Sequence, residues 1–173
     1  VDFNGNYFLV ANASSNVDII VTNGGLLWTR AVQSSIGYST SLINTANVVV
    51  AGNNAQWINT NCLATLGYLG RTSIGNLTIG SGGVAVLKGL TCYSNSTATV
   101  AAGGVLQLTN TAQSLYLYPT AVLQGNGLIL GQGLTAGSDF YLYNYGTVSP
   151  GLPTGALSIS NLQEQLYSDG RLL

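Results

Sequence analysis

The residues of this 173-residue chain whose types could do chemistry are five acids, four bases, two cysteines and ten tyrosines. The acids are Asp2, Asp18, Asp139, Glu164 and Asp169, and the bases are Arg30, Arg71, Lys88 and Arg171. Histidine is absent, which removes the commonest general base, most transition-metal sites and every Ser-His-Asp relay. Glycoside cleavage needs two carboxylates roughly 5 to 10 Å apart. Here Asp139 and Glu164 lie about one structural repeat apart, Asp18 is far upstream, and Asp169 follows Glu164 at a spacing that suits neither a strand nor a shared site. Calcium fares no better, because the acids never cluster and no G-G-x-G-x-D nonapeptide occurs. The stretch GNGLILGQG, residues 125 to 133, has the glycines of a phosphate loop, but it carries no Lys and no helix-forming segment follows, so it reads as turns. The expectation is a chain that is not an enzyme, with no catalytic, cofactor-binding or metal-binding residue and no cofactor.

The cysteines and tyrosines carry more information. Cys62 lies nine residues after Asn53 and Cys92 lies ten after Gly82, nearly the same phase of two successive sequence blocks. Two readings stand open: a disulfide joining adjacent layers in an oxidising exterior, or two buried thiols in an internal ladder. The tyrosines concentrate late in the chain. Alternation puts Tyr116 and Tyr118 on one face, and Tyr141, Tyr143 and Tyr145 on one face of the next layer. Such a face could bind surface glycans or a neighbouring subunit, or simply shield a hydrophobic sheet. Asn12, Asn76 and Asn95 each open an Asn-x-Ser/Thr sequon, a frequency that chance supplies in a chain so rich in Asn, Ser and Thr.

The elements that position these residues follow from composition. Charged residues make up 5% of the chain and the net charge is -1, so no nucleic-acid footprint and no basic membrane-binding face can be built. Apolar residues never run near the ~18 that a spanning helix needs, so no membrane insertion is expected of this segment. Valine, leucine, isoleucine and tyrosine fall into short alternating runs such as VDIIV, NVVVAG, VAVLKG, SLYLYP and DFYLYNYG, bounded by Gly, Asn or Ser. Each has strand length and strand composition. Nothing shows helical periodicity, and the fold class is all-β.

A repeat decides which all-β architecture this is. VTNGGLLWTR at residues 21 to 30 returns as VAGNNAQWIN at 50 to 59 and as IGSGGVAVLK at 79 to 88. Aligning on the opening apolar residue puts Val21, Val50, Ile79, Val100, Leu117, Leu142 and Leu166 in register, at intervals of 29, 29, 21, 17, 25 and 24 residues. Small or turn-forming pairs follow each: Gly24-Gly25, Asn53-Asn54, Gly82-Gly83, Gly103-Gly104, Thr120-Ala121, Tyr145-Gly146 and Asp169-Gly170. These intervals fit turns of a solenoid, with the recurring corner stacked every ~4.8 Å. The expectation is one domain over residues 1 to 173, a parallel β-helix of about seven coils, with Trp28 and Trp57 stacked in one phase. The alternative is a pilin-like β-sandwich completed by a strand from its neighbour.

Residues 122 to 160, and within them GTVSPGLPTGALSIS with Gly146, Pro150, Gly151 and Gly155, resemble the passenger-domain repeats of bacterial autotransporters and related extracellular adhesins. YSDGRLL at 167 to 173 resembles the start of a further such run. The resemblance implies a right-handed parallel β-helix displayed extracellularly or on a cell surface. The membrane barrel and signal peptide of that family are not in this sequence, so a fragment of a longer extracellular protein is expected. The function expected is a non-catalytic structural or adhesive protein. It self-assembles into a homo-oligomer, fibre or surface layer through its coil ends, where neither VDFNGNYFLV nor DGRLL reads as a cap. The alternative is a carbohydrate-binding or polysaccharide-degrading β-helix of the tailspike type.

Overall fold

The computed structural model describes residues 1–11, 16–39, 44–68, 72–110, 115–131, 140–151, 155–160, 163–167 and 170–173, and of 163–166 the backbone alone. The described strands form three parallel sheets of seven strands each. Sheet A stacks β1 (Asp2–Phe3), β4 (Leu26–Thr29), β7 (Ala55–Asn59), β10 (Gly83–Leu87), β13 (Val105–Leu108), β16 (Leu128–Gly131) and β19 (Ser158–Ser160). Sheet B stacks β2 (Tyr7–Val10), β5 (Gln33–Ile36), β8 (Ala64–Leu66), β11 (Leu90–Cys92), β14 (Leu115–Leu117), β17 (Tyr141–Asn144) and β20 (Gln163–Leu166). Sheet C stacks β3 (Val17–Thr22), β6 (Thr45–Ala51), β9 (Ile74–Ile79), β12 (Thr97–Val100), β15 (Val122–Gly125), β18 (Thr147–Pro150) and β21 (Arg171–Leu172). Every third strand returns to the same sheet, so the chain winds as a parallel β-solenoid; pairing within each sheet is parallel throughout, and the β-sandwich alternative does not hold. About five turns are enclosed between neighbours on both sides, slightly fewer than the seven full coils expected, because the short strands β1 and β21 leave the outermost turns thin.

Alternation along each strand sends one side chain inward and the next outward, and stacking turns the inward ones into ladders. In sheet C the ladder runs Val48, Leu77, Ala98, Leu123, Val148; in sheet A it runs Leu27, Trp57, Ala85, Leu106, Ile129. All are buried. The small Ala85 next to Trp57 makes room for the indole, which is how a column of fixed rise packs a side chain this large. Each fully buried Leu, Ile or Val contributes ~1.5–3 kcal/mol over leaving it in water.

The interior differs along the axis. Among the described residues, the buried polar atoms without a hydrogen-bond partner are Ser34 Oγ, Asn44 Oδ1, Asn59 Nδ2 and Ser73 Oγ, all between residues 34 and 73. Buried Asn144, farther along, has its Oδ1 accept from the Gly146 N–H at 3.1 Å and its amide donate to the Arg171 carbonyl at 3.2 Å.

The corner leading from sheet C to sheet A carries the repeat. Gly83 N–H donates to the Gly80 carbonyl at 3.0 Å, and Gly104 N–H donates to the Ala101 carbonyl at 2.9 Å, closing equivalent turns in successive coils. A Cβ at Gly83 would strike the Val50 carbonyl of the coil beneath, so the close stacking of corners requires glycine there.

The register confirms part of the expected alignment and corrects the rest. Val21, Val50, Ile79 and Val100 are partners in sheet C. Leu117, Leu142 and Leu166 are not in that sheet: Leu117 pairs with Cys92, Leu142 with Leu115 and Leu166 with Asn144, all in sheet B. The true partner of Val100 is Gly125, followed by Pro150. Gly125 sits at φ +124°, where a side chain would collide with the Val100 carbonyl, so the apolar signal at this position is lost and an alignment seeking it jumps to the wrong sheet. Corrected, the later intervals are 25 and 25 residues. Trp28 and Trp57 are also one residue out of phase, since Trp57 faces Leu27 and Trp28 faces Ile58. One residue reverses the side chain, leaving Trp57 0% exposed and Trp28 40% exposed.

Candidate functional site

The outer face of sheet B and the corner that follows it gather the tyrosines. Tyr116 and Tyr143 are cross-strand partners on β14 and β17, with ring centroids 5.5 Å apart. Tyr116 lies 4.8 Å from Tyr118 and 5.4 Å from Tyr145, and Tyr141 lies 5.7 Å from Tyr143. These five rings lie side by side in ring contact. The structure extends that face with Tyr93, 4.7 Å from Tyr118, and Tyr167, 4.0 Å from Tyr145. Tyr38 and Tyr68 form an edge-to-face pair at 4.5 Å in the preceding coils.

Backbone geometry explains the column. Each of Tyr93, Tyr118, Tyr145 and Tyr167 is the residue just past a sheet-B strand, and each N–H donates to a carbonyl one coil below: Leu66, Cys92, Leu117 and Asn144, at 2.9–3.0 Å. Tyr38 and Tyr68 come one place later because Gly37 and Gly67 occupy the corner. The signal was present in the sequence as tyrosines at 38, 68, 93, 118, 145 and 167, a spacing of one coil throughout, but alternation within single runs does not reveal it.

Between successive coils some of the rings stack and others meet at a tilt. Tyr145 and Tyr167 are nearly parallel, at 9°, and Tyr116 with Tyr145 at 23°. Tyr167 donates its phenolic hydrogen to Tyr145, and Tyr145 donates its own to Tyr116. Giving up that donated hydrogen bond, then burial, holds the Tyr145 phenol above its ordinary value, opposed by the bond it accepts from Tyr167. Burial, then its hydrogen bond to Tyr145, raises Tyr167. Burial raises Tyr93, helped by the proximity of Tyr118 and Tyr68. All seven rings of the face are half-buried, each covered by its neighbours.

The cysteines do not meet in register. Cys92 on β11 faces Leu66 below and Leu117 above, whereas Cys62 precedes β8 and its thiol contacts Asn59 Oδ1 at 3.5 Å. Both are buried free thiols in this structure. Burial pushes the Cys92 thiol up to about 12. Burial also raises Cys62, with the nearby Lys88 ammonium pulling the other way.

The remaining polar residues form structural contacts. Asp2 and Arg30 make an ion pair across adjacent coils, and the Arg30 guanidinium sits 5.0 Å from the Trp28 ring centroid. Asn76 donates to Asn47 at 2.9 Å and Asn47 to Asp18 at 2.7 Å, an amide ladder up sheet C that includes one sequon asparagine. Asn95, at a second sequon, occupies an exposed turn and accepts from the Thr120 hydroxyl at 3.0 Å. Asn12, Arg71, Asp139 and Asp169 lie outside the described residues, as does the Glu164 side chain. Among the described residues no three His, Cys, Asp or Glu side chains gather to hold a metal, and no helix is long and apolar enough to cross a membrane. Compared with protein-family models, with curated proteins and with solved structures, the chain matches none.

Proposed function

We propose that this chain is a non-catalytic structural or adhesive element of an extracellular or cell-surface assembly. The observation that carries the reading is the tyrosine column: a ladder of rings that consumes its own faces serves to rigidify a shaft. Sugar binding by ring stacking needs those faces open toward the ligand. The resemblance of residues 122 to 160 to autotransporter passenger and adhesin repeats supports display outside a cell. The low charge and the amide, hydroxyl and tyrosine outer faces suit a surface that touches like surfaces without repulsion.

Assembly would run through the coil ends. In each sheet β1, β2 and β3 stand at one edge and β19, β20 and β21 at the other, so the backbone groups of those edges are available to a further coil. Around the first coil, Val1, Phe3, Ile20 and Leu26 are exposed apolar side chains bordering one cleft. A second copy stacking end to end would cover them. Static light scattering and electron microscopy of the purified chain test this: growth of axial particles with concentration is the expected result, and a monomer that persists at high concentration overturns it. A particle that stays discrete yet binds or cleaves a polysaccharide would instead support the tailspike-like alternative.

A further inference from the structure

We propose that the tyrosine face is an oxidative cross-linking site, at which a haem peroxidase using hydrogen peroxide couples Tyr145 and Tyr167 into dityrosine. These two rings make the closest aromatic contact among the described residues, with centroids 4.0 Å apart and planes 9° apart. They come from adjacent coils held in register by β17 and β20, where Asn144 faces Leu166 immediately before each tyrosine. The phenol groups of the two residues are hydrogen-bonded to each other, which holds the phenolic ends of the stacked rings together. Both rings are partly exposed, so an electron acceptor outside the protein can reach them.

The surroundings direct oxidation here. The chain contains no methionine and no histidine, and both cysteines are buried, so among the described residues Trp28, on the first coils and away from this face, is the main competing oxidisable side chain at the surface. Tyr93, Tyr118, Tyr116 and Tyr143 extend the face by ring contacts of 4.7 to 6.3 Å, so a radical formed on any of them has a short route to the closest pair.

The chemistry balances as follows. Each phenol gives one electron to the oxidised haem and one proton to water, leaving two phenoxyl radicals. A carbon–carbon bond forms between the ortho carbons, and each ortho hydrogen then transfers to its oxygen, restoring two phenols. The peroxide receives the two electrons and two protons and leaves as two waters. The product staples the last sheet-B strand to the coil before it.

The test treats the dilute chain with a haem peroxidase and hydrogen peroxide and maps cross-links by mass spectrometry, with dityrosine fluorescence as the yield. The expected product is a monomer in which the peptides holding Tyr145 and Tyr167 are joined and two hydrogens lighter. Tyr145→Phe and Tyr167→Phe each keep a stackable ring, and circular dichroism confirms the fold; in both, that cross-linked peptide is lost, while in Tyr7→Phe it persists. Coupling that is only intermolecular, that spreads over Tyr7 and the rest without preference, or that survives in Tyr145→Phe would overturn the proposal.

Discussion

Trp57 Nε1 donates a hydrogen bond to Thr29 Oγ1 at 3.1 Å, linking two coils through the interior of the solenoid. Both residues are 0% exposed, and the Phe8 ring packs 6.4 Å from the indole. Removing the indole by Trp57→Ala should cost ~3–5 kcal/mol, and Thr29→Val, which orphans the N–H, ~1–3 kcal/mol. Trp28→Ala, at a half-exposed position one residue out of phase, should cost well under ~2 kcal/mol. Urea denaturation of the three variants checks the order, and equal losses at the two tryptophans would contradict the register.

Gly83→Ala should destabilise by ~1–3 kcal/mol, since the new methyl meets a backbone carbonyl that has no room to yield. Gly5→Ala, whose Cβ would meet nothing within 4 Å, should stay within ~0.5 kcal/mol of the parent. Thermal melts of the pair isolate the effect of coil-to-coil corner stacking.

Alkaline pH should loosen the tyrosine column. Tyr93, Tyr145 and Tyr167 all have folded-state values above the ordinary value of 10.0. A raised value means the folded state holds the phenolic proton more tightly than the unfolded chain does. That stabilisation is complete below pH ~10 and is lost as pH rises through the raised values. The melting temperature should therefore be flat on the alkaline side of neutrality and fall once pH passes ~10. The Tyr145→Phe, Tyr167→Phe double variant should show a shallower fall; an unchanged slope would remove those two groups as its cause.

The buried thiols should resist modification. With its value at about 12 and no exposed surface, Cys92 has almost no reactive thiolate at neutral pH. A disulfide-exchange reagent should react with neither cysteine rapidly in the native protein and with both in denaturant. Cys62 should be the faster native site because Lys88 opposes its burial.

How far the fold was legible depends on what each corner demands of its residues. From Val21 to Val100 the sheet-C ladder is aliphatic and the following corner keeps Gly or Asn at left-handed φ, as at Asn54 and Gly103, so composition and spacing read correctly. At Gly125 and Pro150 the chain meets the same stacking with residues that carry no aliphatic signal, and the pattern becomes ambiguous there. The tryptophans misled for a different reason. Similar ten-residue blocks suggest identical phase, but four residues separate Ala51 from Gln56 where only three separate their register partners Thr22 and Leu26. The tyrosine face was half legible, because alternation marks neighbours within a strand and only the stacked corners join Tyr93 and Tyr167 to them.

Among the described residues, the buried polar atoms without a partner at Ser34, Asn44, Asn59 and Ser73 give this solenoid a direction under load. Each withholds ~1–3 kcal/mol from the coils that bury it, and a solenoid's stability is a sum over neighbouring coils. Pulled along its axis, the molecule should yield from the amino-terminal side, coil after coil, until the peeling front reaches the Leu106, Leu117 and Leu123 ladders and stalls. A solenoid with one soft end and one hard end extends in steps before it unfolds, and so dissipates a pull that a uniform rod would transmit whole.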